Sequence, residues 1–331
     1  MSTAFLYAGQ GAQHVGMGKD FYEAYPTYRE FIDQLQEELK EQASTQSQEE
    51  SEAGLAVDLK TLMHEGPLEE LSKTENTQAC MAAFAAGVTR LLEEHGIRPD
   101  VACGLSLGEY GALYAAGAYS AGEYVRLTAY RGHAMMEAAR GCCCSMSAIL
   151  GVDSQLVEEE IAAYEGEGYV TLANYNCPGQ YVICGDETAV SAVEQGLKAR
   201  GARKCVRLNV SGPFHTKYMQ PAGEALKRYF AKMDLARPQI PVLANVTGDY
   251  YKEEDDIPEL LVAQVQNSVR LEEALRRLIG SGVDQFIEIG PGNTIAGFLK
   301  KTSRAMKARI KVSSIDCVAD FEKVVADLAE S

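Results

Sequence analysis

Five residues, Gly104-Leu105-Ser106-Leu107-Gly108, constrain this chain more than any other stretch. They match the pattern G-x-S-x-G. They stand between a short apolar run, Asp100 to Gly104, and a small-residue run, Tyr110 to Ala116. The first predicts a buried strand and the second a helix. A serine on so sharp a strand-to-helix turn is held in a strained backbone conformation. Its Oγ is exposed, and the first N–H groups of the helix point at the space beside it. Glycine two positions to either side lets the flanking backbones approach closely. In this context Ser106 reads as a nucleophile rather than as a bland serine in a glycine-rich turn.

The rest of the chain supplies an α/β frame for such a turn. Ala4 to Tyr7 predicts a first strand, ending in Gly9-Gln10-Gly11-Ala12-Gln13. Phe21 to Leu39, 68–95 and Ala121 to Arg140 carry helical periodicity, whereas Glu41 to Ser51 is polar and aperiodic and predicts a solvated loop or a frayed helix extension. From 145 to 208 the texture changes to strand, helix, strand, strand, helix, strand, the order of a split βαβ unit. Afterwards Val242 to Val246, 258–280 and Gln285 to Ile289 return to α/β alternation. The expected fold is α/β. A large α/β-hydrolase-like subdomain with a parallel sheet (1–140 and 208–331) carries an inserted ferredoxin-like subdomain (141–207).

A serine nucleophile needs a base. The chain offers His14, His64, His95, His133 and His215. His215 lies in the turn-rich stretch Val210 to Thr216, directly after a predicted strand, where catalytic side chains are often presented. That argument favours His215 without settling the choice. Other chemistries fit less well. A net charge of −16 argues against nucleic acid as a partner, since phosphate binding needs a basic face. The nine cysteines include no CxxC pair and have no zinc-like spacing with histidine, so no metal is expected and free thiols in a reducing compartment are. Gly9-Gln10-Gly11 has histidine where a dinucleotide fingerprint needs its third glycine. No apolar run reaches the ~18 residues of a membrane span, and Met1 to Gly9 does not read as a secretory signal, so a cytoplasmic location is expected. The basic residues Lys300, Lys301, Arg304, Lys307, Arg309 and Lys311 read as solvated charge or as a docking patch for an acidic partner.

Beyond the serine turn, a series of blocks resembles one family in order along the chain. Gly9 to Gln13 resembles the GQGxQ signature of malonyl-CoA:acyl-carrier-protein transacylases, and Gly104 to Glu109 resembles their GHSxGE elbow. Arg131-Gly132, Ala173 to Gln180, Ser211 to His215 and Glu288 to Gly292 are similar to further blocks of the same family. The resemblance covers about residue 3 to residue 300 and is nearest to the stand-alone bacterial enzymes of type II fatty-acid synthesis. Leu105 departs from the family, which usually has histidine there, and Ala8 stands where proline often precedes the GQG block.

The resemblance implies a ping-pong acyl transfer from malonyl-CoA to the phosphopantetheine thiol of acyl carrier protein, without a cofactor. Ser106 would be the nucleophile and His215 the base and acid. The Gln264 main-chain carbonyl would orient the imidazole, and the N–H groups of Gln10 and Leu107 would form the oxyanion hole. Arg131 would pair with the free malonyl carboxylate. Phe214 would favour malonyl over methylmalonyl, a preference worth only ~1–3 kcal/mol. Lys204, Arg207, Lys217 and the Lys300 to Lys311 cluster are candidates for docking the acidic carrier. The chain is expected to act as a monomer. The competing readings are a malonyl-selective acyltransferase of a polyketide pathway, a serine thioesterase or hydrolase, and a non-catalytic carrier-binding protein.

Overall fold

The computed structural model describes residues 2–45, 57–208 and 212–329, with the side chains of 42–45 left aside. The predicted loop at Glu41 to Ser51 falls partly outside them: the helix Pro26–Thr45 takes its first residues, and Gln46 to Ser51 lie beyond the described residues.

Apolar runs buried on both faces form the central sheet. Its strands are β1 (Thr3–Tyr7), β2 (Val101–Gly104), β9 (Gln285–Ile289) and β10 (Lys311–Ile315), in the order β10-β9-β1-β2, and all its pairings are parallel. Parallel strands need crossovers, and the helices that make them cover both faces, so β1, β2 and β9 lose nearly all contact with solvent. The long helix Thr74–Glu94 packs against Ala121–Ala139 on one side. Val242 extends this sheet through a single parallel bridge to Ala102 beside β2. Of the predicted strand Val242 to Val246, only β7 (Leu243–Ala244) forms a ladder, with β8 (Asp249–Tyr250).

The second sheet is antiparallel: β3 (Cys144–Leu150), β4 (Val170–Cys177), β5 (Gln180–Asp186) and β6 (Lys204–Arg207), ordered β4-β5-β3-β6. With the helices Ser154–Ala162 and Glu187–Ala199 this is the strand order of a ferredoxin-like unit, and it has its own apolar core around Ile149, Val157, Ile183, Val190 and Leu197. Val269 fastens the outer strand of this sheet to the body. Its N–H donates to Ala173 O at 2.9 Å, and its carbonyl accepts from Tyr175 N at 2.8 Å.

Chain direction sets the active edge of the parallel sheet. Gly104 and Tyr7 end neighbouring parallel strands, so the Ser106 turn and the Gly9 turn emerge side by side at the carboxyl end of the sheet. That end is where α/β proteins present ligands.

Candidate active site

The elbow is built from close backbone contact. A Cβ on Gly104 would stand 2.0 Å from the Gly108 carbonyl carbon, and one on Gly108 would stand 2.0 Å from Tyr7 O. No side chain fits at either place. The squeeze leaves Ser106 at φ 53, ψ −99, a conformation that costs a non-glycine residue roughly 1–3 kcal/mol. Asn245, directly after β7, holds that conformation. Its Oδ1 accepts from Ser106 N at 2.6 Å, and its Nδ2 donates to Gly104 O at 2.8 Å. Leu107 is the first residue of the helix Leu107–Ala115, which starts earlier than its sequence periodicity predicts. Its N–H therefore has no carbonyl within the helix to bond and is available at the helix's positive end.

His215 also has a left-handed backbone, at φ 60. Its Nε2 lies 2.8 Å from Ser106 Oγ, and its Nδ1 lies 2.9 Å from the Gln264 main-chain carbonyl. A carbonyl can only accept. Nδ1 therefore carries the proton, and Nε2 presents its lone pair to the serine hydroxyl. Gln264 sits in the last turn of the helix Ile257–Gln266, where carbonyls lack intrahelical partners. The negative end of that helix thus faces the imidazole, and no carboxylate is needed to orient it. Burial, and then the nearby Arg131 charge, lower the imidazole pKa to about 4, so the ring is neutral at neutral pH. The other histidines are engaged elsewhere or uninvolved: His14 lies 3.0 Å from Asp316, and His95 Nδ1 contacts Leu91 O.

Arg131 is 1% exposed, and no carboxylate pairs with it among the described residues. Its NH2 donates to Ser106 Oγ at 3.0 Å and to Gln264 Oε1 at 2.9 Å; its NH1 donates to Gln78 Oε1 at 2.8 Å. The guanidinium lies 5.1 Å from the Tyr110 ring centroid, and its Nε has no protein partner. A buried cation held only by neutral acceptors is costly, and the cost falls when an anion enters beside it. Nε is unpartnered, and a planar carboxylate pairing with the Nε–NH2 edge would take over the NH2 contact that Ser106 now holds. Gln10 joins this layer from the Gly9 turn: its Nε2 donates to Thr74 Oγ1 at 3.0 Å, and its Oε1 accepts from Gln78 at 3.3 Å. Phe214, 7% exposed, packs beside Gly212 immediately before the histidine.

Ser106, His215, Arg131, Gln10, Leu107 and Gln264 therefore come together from separate stretches of chain. The basic candidates for docking are dispersed. Arg207 is occupied by Glu187 at 2.9 Å and Glu194 at 2.7 Å. Lys217 lies over Tyr169. Arg309 and Lys311 lie at the amino end of β10, the opposite end of the sheet from Ser106.

Sequence reasoning missed Gln78, Asn245, Tyr251 and Glu109. Glu109 was quoted only as part of the elbow, yet it is 1% exposed and accepts hydrogen bonds from Gln264, Asn245 and Tyr251. Burial raises its carboxyl to about 7 from the ordinary 4.5. An acid raised in this way holds its proton more tightly when folded. Its contribution to stability is full below the ordinary value and is lost as pH rises through about 7. Between those limits the parent should lose on the order of 3 kcal/mol relative to Glu109→Gln. Urea unfolding of both proteins at each limit measures this, and an unchanged difference would mean that Glu109 titrates as an ordinary carboxylate.

Known proteins resemble this chain in sequence and fold. The family model described as acyl transferase domain matches residues 4–323. The malonyl CoA-acyl carrier protein transacylase of Bacillus subtilis is 40% identical over 305 residues, covering 92% of this chain and 91% of its own. The solved malonyl CoA-acyl carrier protein transacylase of Clostridium perfringens superposes with a TM-score of 0.89 at 36% identity, covering 100% of this chain and 98% of that one. A malonyl-transacylase solved in complex with its type II PKS acyl-carrier protein superposes with a TM-score of 0.87 at 31% identity, covering 99% and 100%.

Proposed function

This chain belongs to the acyl transferase domain family, and from that premise we propose that it moves a malonyl group from malonyl-CoA to the phosphopantetheine thiol of acyl carrier protein through an ester on Ser106. The observation that carries the reading is the buried Arg131, hydrogen-bonded to no carboxylate among the described residues, beside a serine already bonded to a neutral imidazole. The fixed cation suits an acyl group ending in a carboxylate, and the transacylase relatives support a carrier thiol rather than water as the acceptor.

In the first half-reaction His215 Nε2 takes the Ser106 proton as Oγ attacks the thioester carbonyl. The oxyanion settles between the N–H groups of Gln10 and Leu107, each worth roughly 3 kcal/mol. The imidazolium is stabilised by the Gln264 carbonyl and the end of its helix. Collapse expels the CoA thiolate, which takes the proton from His215. In the second half-reaction His215 deprotonates the carrier thiol, whose sulfur attacks the ester carbonyl, and on collapse the imidazolium returns the proton to the departing Ser106 Oγ. The serine is half-buried and the guanidinium fully so, which suits a carboxylate held deep and a thioester at the mouth. Phe214 borders the base and narrows the space for a branched acyl group.

The carrier serves fatty-acid synthesis in this reading. The relative seen with a type II PKS carrier protein keeps a polyketide carrier as the second reading, with the same chemistry at the serine. We assign 1–140 and 208–331 to the unit that holds the nucleophile and 141–207 to the smaller one. Nine free thiols suit the cytoplasm, and no helix among the described residues is long and apolar enough to cross a membrane.

Brief exposure to malonyl-CoA should add the mass of one malonyl group to the intact protein. Holo carrier protein should then remove it far faster than water does. Release of free malonate at the same rate with and without carrier would make the protein a hydrolase, and the absence of any adduct would make it non-catalytic.

A further inference from the structure

Glu109 lies on the first turn of the elbow helix, and its carboxylate bonds neither to Ser106 Oγ nor to His215. Distant stretches of chain nevertheless converge on it. Oε2 accepts from the Gln264 side-chain amide at 2.6 Å and from the Asn245 main-chain N–H at 3.1 Å, while Oε1 accepts from the Tyr251 hydroxyl. Two of these partners act directly on the reacting groups. Gln264 offers its main-chain carbonyl to His215 Nδ1 and its side-chain carbonyl to Arg131, and its amide also donates to Ser106 O at 2.9 Å. Asn245 clamps both ends of the serine turn.

We propose that Glu109 is a positioning residue whose ionised carboxylate, acting through the Gln264 side chain, sets the alignment of both the base His215 and the clamp Arg131 against Ser106. The proposal rests on the acyl-transfer reading above. Every partner of the carboxylate points a donor at it, and the Gln264 amide and the Asn245 N–H can do nothing else. Only the Tyr251 hydroxyl could turn to accept. A protonated Glu109 has an O–H where this arrangement supplies donors, so the Gln264 amide must shift, and its two carbonyl contacts shift with it. The groups facing the carboxylate are Arg131 from Ala121–Ala139, Tyr110 on its own helix, Tyr119, Tyr251, and Cys103 on β2; Arg131 is the cation among them. Burial places the Glu109 proton near pH 7, whereas His215 loses its own near 4. Glu109, and not the base, should therefore set the acid limb of activity.

The test is the single-turnover rate of Ser106 malonylation from pH 5 to 8 at saturating malonyl-CoA, with the downfield proton resonance of His215 Nδ1–H followed in parallel. The wild-type rate should fall below about pH 7, and the resonance should move through the same midpoint. Glu109→Gln should lower the plateau roughly tenfold and abolish both dependences down to pH 5. Glu109→Ala leaves the donors without an acceptor and should cost roughly a hundredfold; if it does not fold, the glutamine variant decides alone. Adding Gln264→Ala to Glu109→Gln should cost less than the two single effects combined. A Glu109→Gln enzyme with the wild-type plateau and limb overturns the proposal, as does a wild-type resonance that is flat between pH 6 and 8. A wild type that never forms the adduct fails the acyl-transfer reading instead, and the resonance still decides whether Glu109 governs the imidazole.

Discussion

Ser106→Ala is expected to abolish the malonyl-enzyme and to lower the transfer rate on the order of a million-fold. The size follows from the geometry. The hydroxyl is the acceptor of Arg131 NH2 and the partner of His215 Nε2, so both groups converge on one oxygen. Without it the imidazole has no proton to take, and what remains is binding and the oxyanion hole. His215→Ala should cost a similar factor. The double variant should cost little more than either single one, because the pair acts as a unit. Stability should change little in Ser106→Ala. Alanine carries the same backbone strain at φ 53, and the main-chain clamp of Asn245 stays in place. Intact-mass measurement after malonyl-CoA treatment reads the result. An adduct in the alanine variant would place the nucleophile elsewhere, and the exposed thiols of Cys142 and Cys143 would be the first to examine. Hydroxylamine distinguishes such a thioester from an oxygen ester by its faster release.

The serine turn was legible because its cause is local. Close backbone packing demands glycine at 104 and 108, and that demand appears directly as spacing. The strands of the antiparallel sheet were legible for a similar reason, each being a short run set off by helical and turn-forming stretches. The base was not. His215 is aimed by a left-handed backbone and by a helix-end carbonyl, and a carbonyl belongs to every residue, so it leaves no mark in the sequence. The role of Gln264 came from the family resemblance, and its side-chain contacts did not come at all. Asn245 and Glu109 act on partners more than 130 positions away, which no periodicity records. One signal was available: a lone glutamate in Leu107–Ala115, a helix otherwise made of small, apolar and aromatic residues, asks for buried partners. The carboxyl-terminal strand was missed for the opposite reason. β10 is an edge strand of half-exposed serine and valine whose pairing with β9 decides its conformation, and its sequence reads as part of a basic surface.

Arg131→Ala should reduce kcat/KM for malonyl-CoA by roughly a hundred- to a thousandfold while leaving acetyl-CoA unchanged or improved. The guanidinium is buried, its hydrogen-bond partners among the described residues are Gln78, Gln264 and Ser106, and its Nε is without a partner. A malonyl carboxylate entering there gains a charge-assisted pair in a dry setting, and an acetyl group gains nothing from the same charge. Removing the arginine therefore takes away an interaction that only one of the two substrates makes. Arg131→Lys should fall between, because an ammonium keeps the charge and loses the planar fork. The variant carries a second signature. Arg131 is one cause of the lowered His215 pKa, so its loss should raise that value from about 4 toward the ordinary 6.5. An NMR titration of the imidazole reads that shift directly, apart from the acid limb of activity that Glu109 sets. Substrate ratios and the imidazole titration measured on one preparation read both effects. Equal losses for malonyl and acetyl transfer would remove the carboxylate-clamp role, and an unmoved imidazole pKa would remove the electrostatic one.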